Sequence, residues 1–310
     1  MSPNARGAFF MAASAACYVL NDTLIKLVAG EMSLYQALLI RGVAATALMI
    51  ALAAALGMHR FGVARRDRAM VLVRTLAEIG ASYFLITALF HMPLANAAAI
   101  MQALPLTVTL AGSLVFGEKI GWRRLSAILV GFAGVMLIVR PGASGFSLYS
   151  AYAVIAVICV TIRDLAARGV SIETSSMGVA LASSLGVLAF GAAGMLAQPW
   201  QPVSLHGGLA LLGASVAIIG GMLFSILTMR VGEIAFVSPF RYLSMLWALL
   251  MGFAVFGEWP DMLTLLGAGI VVATGVFSLH RESRLASEAE RLARLREGGQ
   301  ACVDKTGDSH

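Results

Sequence analysis

Charge is scarce in this chain. Asp, Glu, Lys and Arg make up 12% of its 310 residues, while 59% are hydrophobic. A soluble globular domain carries about 25% charged residues, so this composition excludes a free-standing water-soluble fold. Cysteine is scarce too. Of the three, Cys17 and Cys159 fall inside apolar stretches and Cys302 lies near the C-terminus, which excludes a disulfide framework. Proline is limited to eight positions. Pro93, Pro141, Pro199 and Pro202 sit between apolar stretches, where a residue without an N–H donor ends a helix harmlessly. No Gly-x4-Gly-Lys-Ser/Thr loop occurs, so ATP hydrolysis through a P-loop is excluded. His-Glu-x-x-His is absent, and His59, His91 and His206 have no metal-ligating neighbour at i+3 or i+4. No Ser/His/Asp set can be argued from spacing. The expectation is no catalytic residue, no cofactor and no metal.

What the chain does have is apolar length. Ten stretches, near 7–29, 33–56, 69–90, 94–116, 124–140, 147–167, 174–197, 207–229, 234–256 and 261–280, are each long enough as helix to cross a hydrocarbon core about 30 Å thick. The fold class expected is an all-α integral membrane protein with ten transmembrane helices. The first stretch continues as a full span, so no cleavable signal peptide is expected. The net charge of +6 reports topology rather than nucleic acid. With the N-terminus in the cytoplasm, all but five of the 22 basic residues fall in cytoplasmic loops or the tail. Lys26 and Arg140 lie outside, and Arg41, Arg74 and Arg241 lie within spans. Positive residues mark the inner side, which predicts a bacterial inner-membrane location with both termini cytoplasmic. After His280 the composition changes: residues 282–297 alternate Glu and Arg, with Leu285, Leu292 and Leu295 on one face. That pattern reads as a surface helix followed by a disordered end.

The chain also repeats itself. Phe116-Gly117-Glu118 returns as Phe256-Gly257-Glu258, 140 residues on. Cys17, Asp22, Lys26 and Glu31 meet Cys159, Asp164, Arg168 and Glu173 at a spacing of 142. The units are 1–142, 143–281 and a tail, 282–310. Each repeat holds five spans, and five is odd, so the second enters the membrane from the opposite side. Two inverted five-helix repeats are how secondary transporters build alternating gates around one central site.

Ionisable groups within spans are costly and face a cavity or one another, so they are the site candidates. Arg74 and Glu78 share a face of span three at i, i+4, either as a neutralising pair or as binding and proton-linked groups. Arg41 and Arg241 have no carboxylate within a turn of their own helix. Each needs a partner elsewhere, either a substrate or an ion pair across helices. They come from different halves, each about 10–12 Å from its own surface by helical rise; in a core about 30 Å thick this leaves their backbone levels within about 10 Å of each other, a gap long side chains can bridge. Gln102 precedes Pro105, which is expected to kink span four. Met245 stands at the equivalent place in span nine, which is therefore expected to run straighter. Tyr242 neighbours Arg241. Asn21 and Asp22, with Arg163 and Asp164 in the inverted position, read as gate or coupling groups; Lys26 and Arg168 lie four residues beyond the two aspartates.

Ala88 to Leu106 (ALFHMPLANAAAIMQALPL), Phe116-Gly117-Glu118, Gly131-Phe132-Ala133-Gly134 and Ile138-Val139-Arg140-Pro141-Gly142 together resemble the EamA family of the drug/metabolite transporter superfamily, over residues 6–281. The combination Asn21 to Lys26, Arg41-Gly42, Arg74 to Glu78 and Arg163 to Ala166 is most similar to the branch with bacterial riboflavin transporters. The resemblance implies a secondary transporter in the lipid bilayer with a small-molecule substrate and no nucleic-acid partner. Riboflavin uptake is the first expectation, with its ring stacked on Tyr83, Phe84 or Tyr242 and its polar groups on Arg and Gln. An amino-acid or S-adenosylmethionine transporter is the alternative. An intramembrane enzyme is disfavoured because no nucleophile, base or metal set is visible.

Overall fold

The computed structural model describes residues 3–55, 57, 61–117, 121–140, 147–171, 173–231 and 234–278. The tail beyond 278, Glu118 and the Arg140-Pro141-Gly142 turn past Arg140 lie outside them. Twelve helices follow one another: α1 (Pro3–Leu27), α2 (Leu34–Ala55), α3 (Arg68–His91), α4 (Leu94–Met101), α5 (Leu104–Phe116), α6 (Trp122–Val139), α7 (Leu148–Arg168), α8 (Ser176–Met195), α9 (Leu205–Val231), α10 (Ile234–Val237), α11 (Leu243–Phe256) and α12 (Met262–Ser278). Eight segments reach membrane-spanning length: α1, α2, α3 with its leading turn, α4–α5 together, α7, α8, α9 and the stretch from Pro239 to Phe256. Leu125–Val139 and Met262–Ser278 are shorter apolar helices. Among the described residues the structure is thus all-helical, with eight full-length candidate spans where ten stretches were expected.

Large apolar side chains cover the outside. Leu114, Leu129, Leu246 and Leu266 are all more than half exposed, an arrangement that suits lipid rather than water. Inside, α1 packs on α9, α3 on α7 and α2 on α8, and α11 lies against α4 and α1. One large core joins Val19, Leu89, Ile100, Leu106, Ile128, Ile138, Val157, Met245 and Val271. α6 and α12 meet backbone to backbone. A β-carbon on Gly134 would stand 2.9 Å from the Gly267 carbonyl, and one on Gly267 would stand 2.6 Å from the Gly134 carbonyl. Small residues permit that approach where no water drives association.

Spans four and nine are both broken. Span four stops at Met101 and restarts at Leu104, with Pro105 in the first turn of α5. Contrary to the straighter span expected from Met245, α10 passes into a 3-10 stretch, Ser238–Tyr242, before α11 begins. Pro239 stands in the first turn of that stretch and supplies the interruption six residues earlier than Met245, because a ring without an N–H cannot continue an α-helical ladder. Each broken helix then ends on a glycine in the left-handed region, Gly117 (φ 69°) and Gly257 (φ 64°), the conformation that closes a helix C-terminus without a β-carbon penalty.

Loop pairs close the two ends of the bundle. At one end Gln36 and the backbone of Gln201 exchange two hydrogen bonds (2.7 and 3.0 Å), and Ser204 donates to Glu31 at 2.7 Å. At the other end Asp67 accepts from the backbone and hydroxyl of Ser171 and from the Thr174 hydroxyl, while Arg66 pairs with Glu173 at 3.0 Å. Glu31 and Glu173, matched in the sequence repeat, therefore serve the same purpose at opposite ends.

Candidate functional site

The interruptions at Gln102 and Tyr242 face each other. The Gln102 amide donates to the Ser244 hydroxyl at 2.9 Å and to the Tyr242 carbonyl at 3.3 Å. Gln102 is buried, so its amide locks two broken helices together rather than standing free for a ligand. Tyr242 is buried as well, its phenol pressed against Gly275 and its oxygen without a hydrogen-bond partner among the described residues.

Beside this junction the intramembrane charges gather from α1, α2, α3 and α7. Arg163 bonds Asp164 at 2.9 Å and Glu78 at 3.3 Å. The expected Arg74–Glu78 pair is not made. Arg74 instead donates to the Ser183 hydroxyl on α8, leaving Glu78 to the guanidinium of Arg163. Packing of α3 against α7 and α8 decides this, because a cross-helix partner is nearer than the one a turn away. Asn21 donates to Asp22 at 2.9 Å, the counterpart of the Arg163–Asp164 contact. Arg41 lies within electrostatic range of Asp22 and Glu78, yet no ion pair reaches it among the described residues, and its buried Nε–H has no acceptor. Arg241 is exposed on the 3-10 stretch. Tyr18, which sequence reasoning missed, lies within electrostatic range of Arg163, Arg241, Glu78 and Asp164. A lone Tyr in an apolar helix gives no signal on its own.

Two further features escaped the sequence. Lys26, expected outside the membrane, is buried, with its ammonium 2.6 Å from Glu258 and 2.8 Å from the Met92 carbonyl, over the Phe256 ring at 4.8 Å. The other Glu258 oxygen accepts the Leu94 N–H at 2.9 Å, capping α4. This latch ties α1, the α3–α4 turn and α11 at one end of the bundle. The repeat marked Lys26 and Glu258 separately, without showing that they meet. The second feature is a continuous run of aromatic rings. His91 stacks on Tyr149 at 4.1 Å, and contacts of 5.2–6.4 Å continue through Tyr152, Phe84, Tyr83, Phe190 and Tyr35. Tyr83 and Phe84, ring-stacking candidates by sequence, lie within this run.

Residues 5–140 match the EamA-like transporter family. Those residues, a little under half of the chain, are similar to an EamA-like transporter domain. That domain holds α1 to α6 and hence Asp22, Arg41, Arg74, Glu78 and Gln102. Together with the apolar helices it makes the protein a multi-pass membrane protein. Among curated relatives, the S-adenosylmethionine uptake transporter of Rickettsia conorii is 26% identical over 62% of this chain and 65% of its own length. The riboflavin transporter of Vibrio cholerae is 29% identical over 70% of this chain and 73% of its own. The pseudopaline exporter of Pseudomonas aeruginosa is 28% identical over 73% and 81%. The match thus spans just under two thirds of the Rickettsia protein. A solved crystal structure, 17% identical, superposes with a TM-score of 0.63 over 91% of this chain and 99% of that one, a likeness of fold.

Proposed function

We propose that this protein is a secondary carrier for a small metabolite. Its ten spans form two inverted five-helix repeats, 1–142 and 143–281, in a bacterial inner membrane, with both termini and the 282–310 tail in the cytoplasm. The observation that carries the reading is the interior charge group: Asp22 and Glu78 lie in the field of an Arg41 with no ion-pair partner among the described residues, Glu78 is bonded to Arg163 of the second half, and two helices are interrupted at Gln102 and Tyr242. Discontinuous helices and intramembrane charge are what a carrier needs to hold a polar solute at mid-membrane. The relatives' names, the matching breaks at Gln102 and Tyr242 and the paired glycines Gly117 and Gly257 support it.

Arg41 and Arg241 are the arginines assigned to substrate, with Tyr18 between the two halves. Arg74, Glu78, Arg163 and Asp164 form the charged wall, Asn21 and Asp22 the coupling or gate pair, and Gln102 and Tyr242 the junction. Riboflavin remains a test substrate because the ring run from His91 to Tyr35 offers aromatic faces for a flat heterocycle. S-adenosylmethionine is the other because the charge group suits an ionic one. Purified protein in liposomes loaded with either compound should exchange the labelled form faster than empty liposomes. Exchange of neither, in vesicles where the protein is correctly inserted, would sink the carrier reading. A new chemical product would favour an enzyme instead.

A further inference from the structure

Resting on the carrier reading, the geometry points to a specific head-group site: Arg41 and the Asn21-Asp22 pair hold the carboxylate and the ammonium of an α-amino-acid group. Three observations converge. The buried Arg41 Nε–H lacks an acceptor, and the buried Asn21 Oδ1 lacks a donor, among the described residues. Asp22 spends one oxygen on the Asn21 amide, and its other oxygen accepts nothing from the described residues. Asp22 and Arg41 lie in each other's field but form no ion pair within 4 Å.

An arginine left unpaired in a low-dielectric interior is a large liability, because its desolvation is not offset by a partner. A planar guanidinium matches a carboxylate through two parallel bonds. An ammonium needs acceptors, which Asp22 and the Asn21 carbonyl oxygen supply from α1. The remaining interior charges do not compete. Glu78 and Asp164 are engaged by Arg163, and Arg74 is tied to Ser183. Across Asp22, Arg41, Glu78, Arg74, Arg163 and Asp164 the charges balance, three against three, so a zwitterionic head group fits without leaving net charge behind. A neutral flavin satisfies neither Arg41 nor Asp22 with an opposite charge.

The test uses full-length protein in detergent, binding labelled S-adenosylmethionine in competition with its decarboxylated analogue, riboflavin and the standard L-amino acids. Loss of one charge-assisted contact weakens binding by roughly 10- to 100-fold. The expected result is at least a tenfold preference for S-adenosylmethionine, or for one of the amino acids, over its decarboxylated form. That preference should collapse in Arg41→Lys, whereas Asp22→Asn should weaken binding of both compounds alike, since both keep the ammonium. Equal binding of the decarboxylated compound overturns the inference, as does binding of riboflavin alone, or of no α-amino acid at all. Because the preference is read on wild-type protein, a variant that fails to fold does not rescue it. Discriminating binding without exchange in liposomes would leave the head-group site standing and remove the carrier reading.

Discussion

Removing Glu258 should loosen one end of the bundle. Lys26 is 9% exposed and Glu258 26% exposed, with 2.6 Å between the charged atoms. Breaking a fully buried pair costs about 3–5 kcal/mol, because the surviving charge stays desolvated. A quarter-exposed carboxylate lets water reach part of the contact, which moves the expectation towards an exposed pair's ~1 kcal/mol. Lys26 also keeps the Met92 carbonyl, whereas the Leu94 N–H loses its cap, worth about 1 kcal/mol. Glu258→Ala is therefore expected to cost about 2–3 kcal/mol. Glu258→Gln, which still offers an oxygen to Leu94, should cost about half as much. Reversible unfolding in mixed micelles of Glu258→Ala, Lys26→Met and the double variant measures the coupling directly. The double variant should be more stable than the sum of the singles predicts, by about 1–2 kcal/mol. A coupling below about 0.3 kcal/mol would refute the idea that the pair acts as a latch.

Gln102→Ala should destabilise by about 1–3 kcal/mol, because the Tyr242 carbonyl and Ser244 hydroxyl lose their shared donor in a buried junction; an unchanged unfolding midpoint would count against the junction. Gly134→Ala and Gly267→Ala should each cost about 1–3 kcal/mol, since each β-carbon meets a backbone carbonyl that cannot turn aside; unfolding of the purified variants checks this. Asp261 lies just outside α12, where donation from Arg140 and the Thr264 N–H hold its carboxyl down from 3.8 to about 2. Its stabilisation is whole above pH 3.8 and lost as pH falls through about 2. More than half exposed, it contributes under about 1 kcal/mol; Asp261→Asn should show that difference unchanged from pH 8 to 5, and a difference growing towards acid would contradict it. A reporter fused after His280 should be active only if it is a cytoplasmic reporter; periplasmic activity would reverse the proposed topology.

Composition and apolar length alone determined that this is a helical membrane protein, because backbone groups in lipid must be satisfied within each segment. The sequence matches about 140 residues apart fall on residues with similar contacts: Glu31 and Glu173 in loop pairs, Gly117 and Gly257 at helix ends, Asn21-Asp22 and Arg163-Asp164 as adjacent bonded pairs. The family likeness was legible in the Phe-Gly-Glu units and in the run from Ala88 to Leu106. Partner choice was not. Glu78 went to Arg163 rather than Arg74, and Lys26 to Glu258 rather than Asp22, because cross-helix distances depend on how α1, α3, α7 and α11 pack. The break in span nine followed Pro239 rather than the Pro105 equivalent, a choice between two positions that only the backbone path reveals. Arg41 is the sharpest case. Its chemistry was readable as an unpaired cation within a span, but that no helix among the described residues brings it a counter-ion is a fact of the tertiary structure.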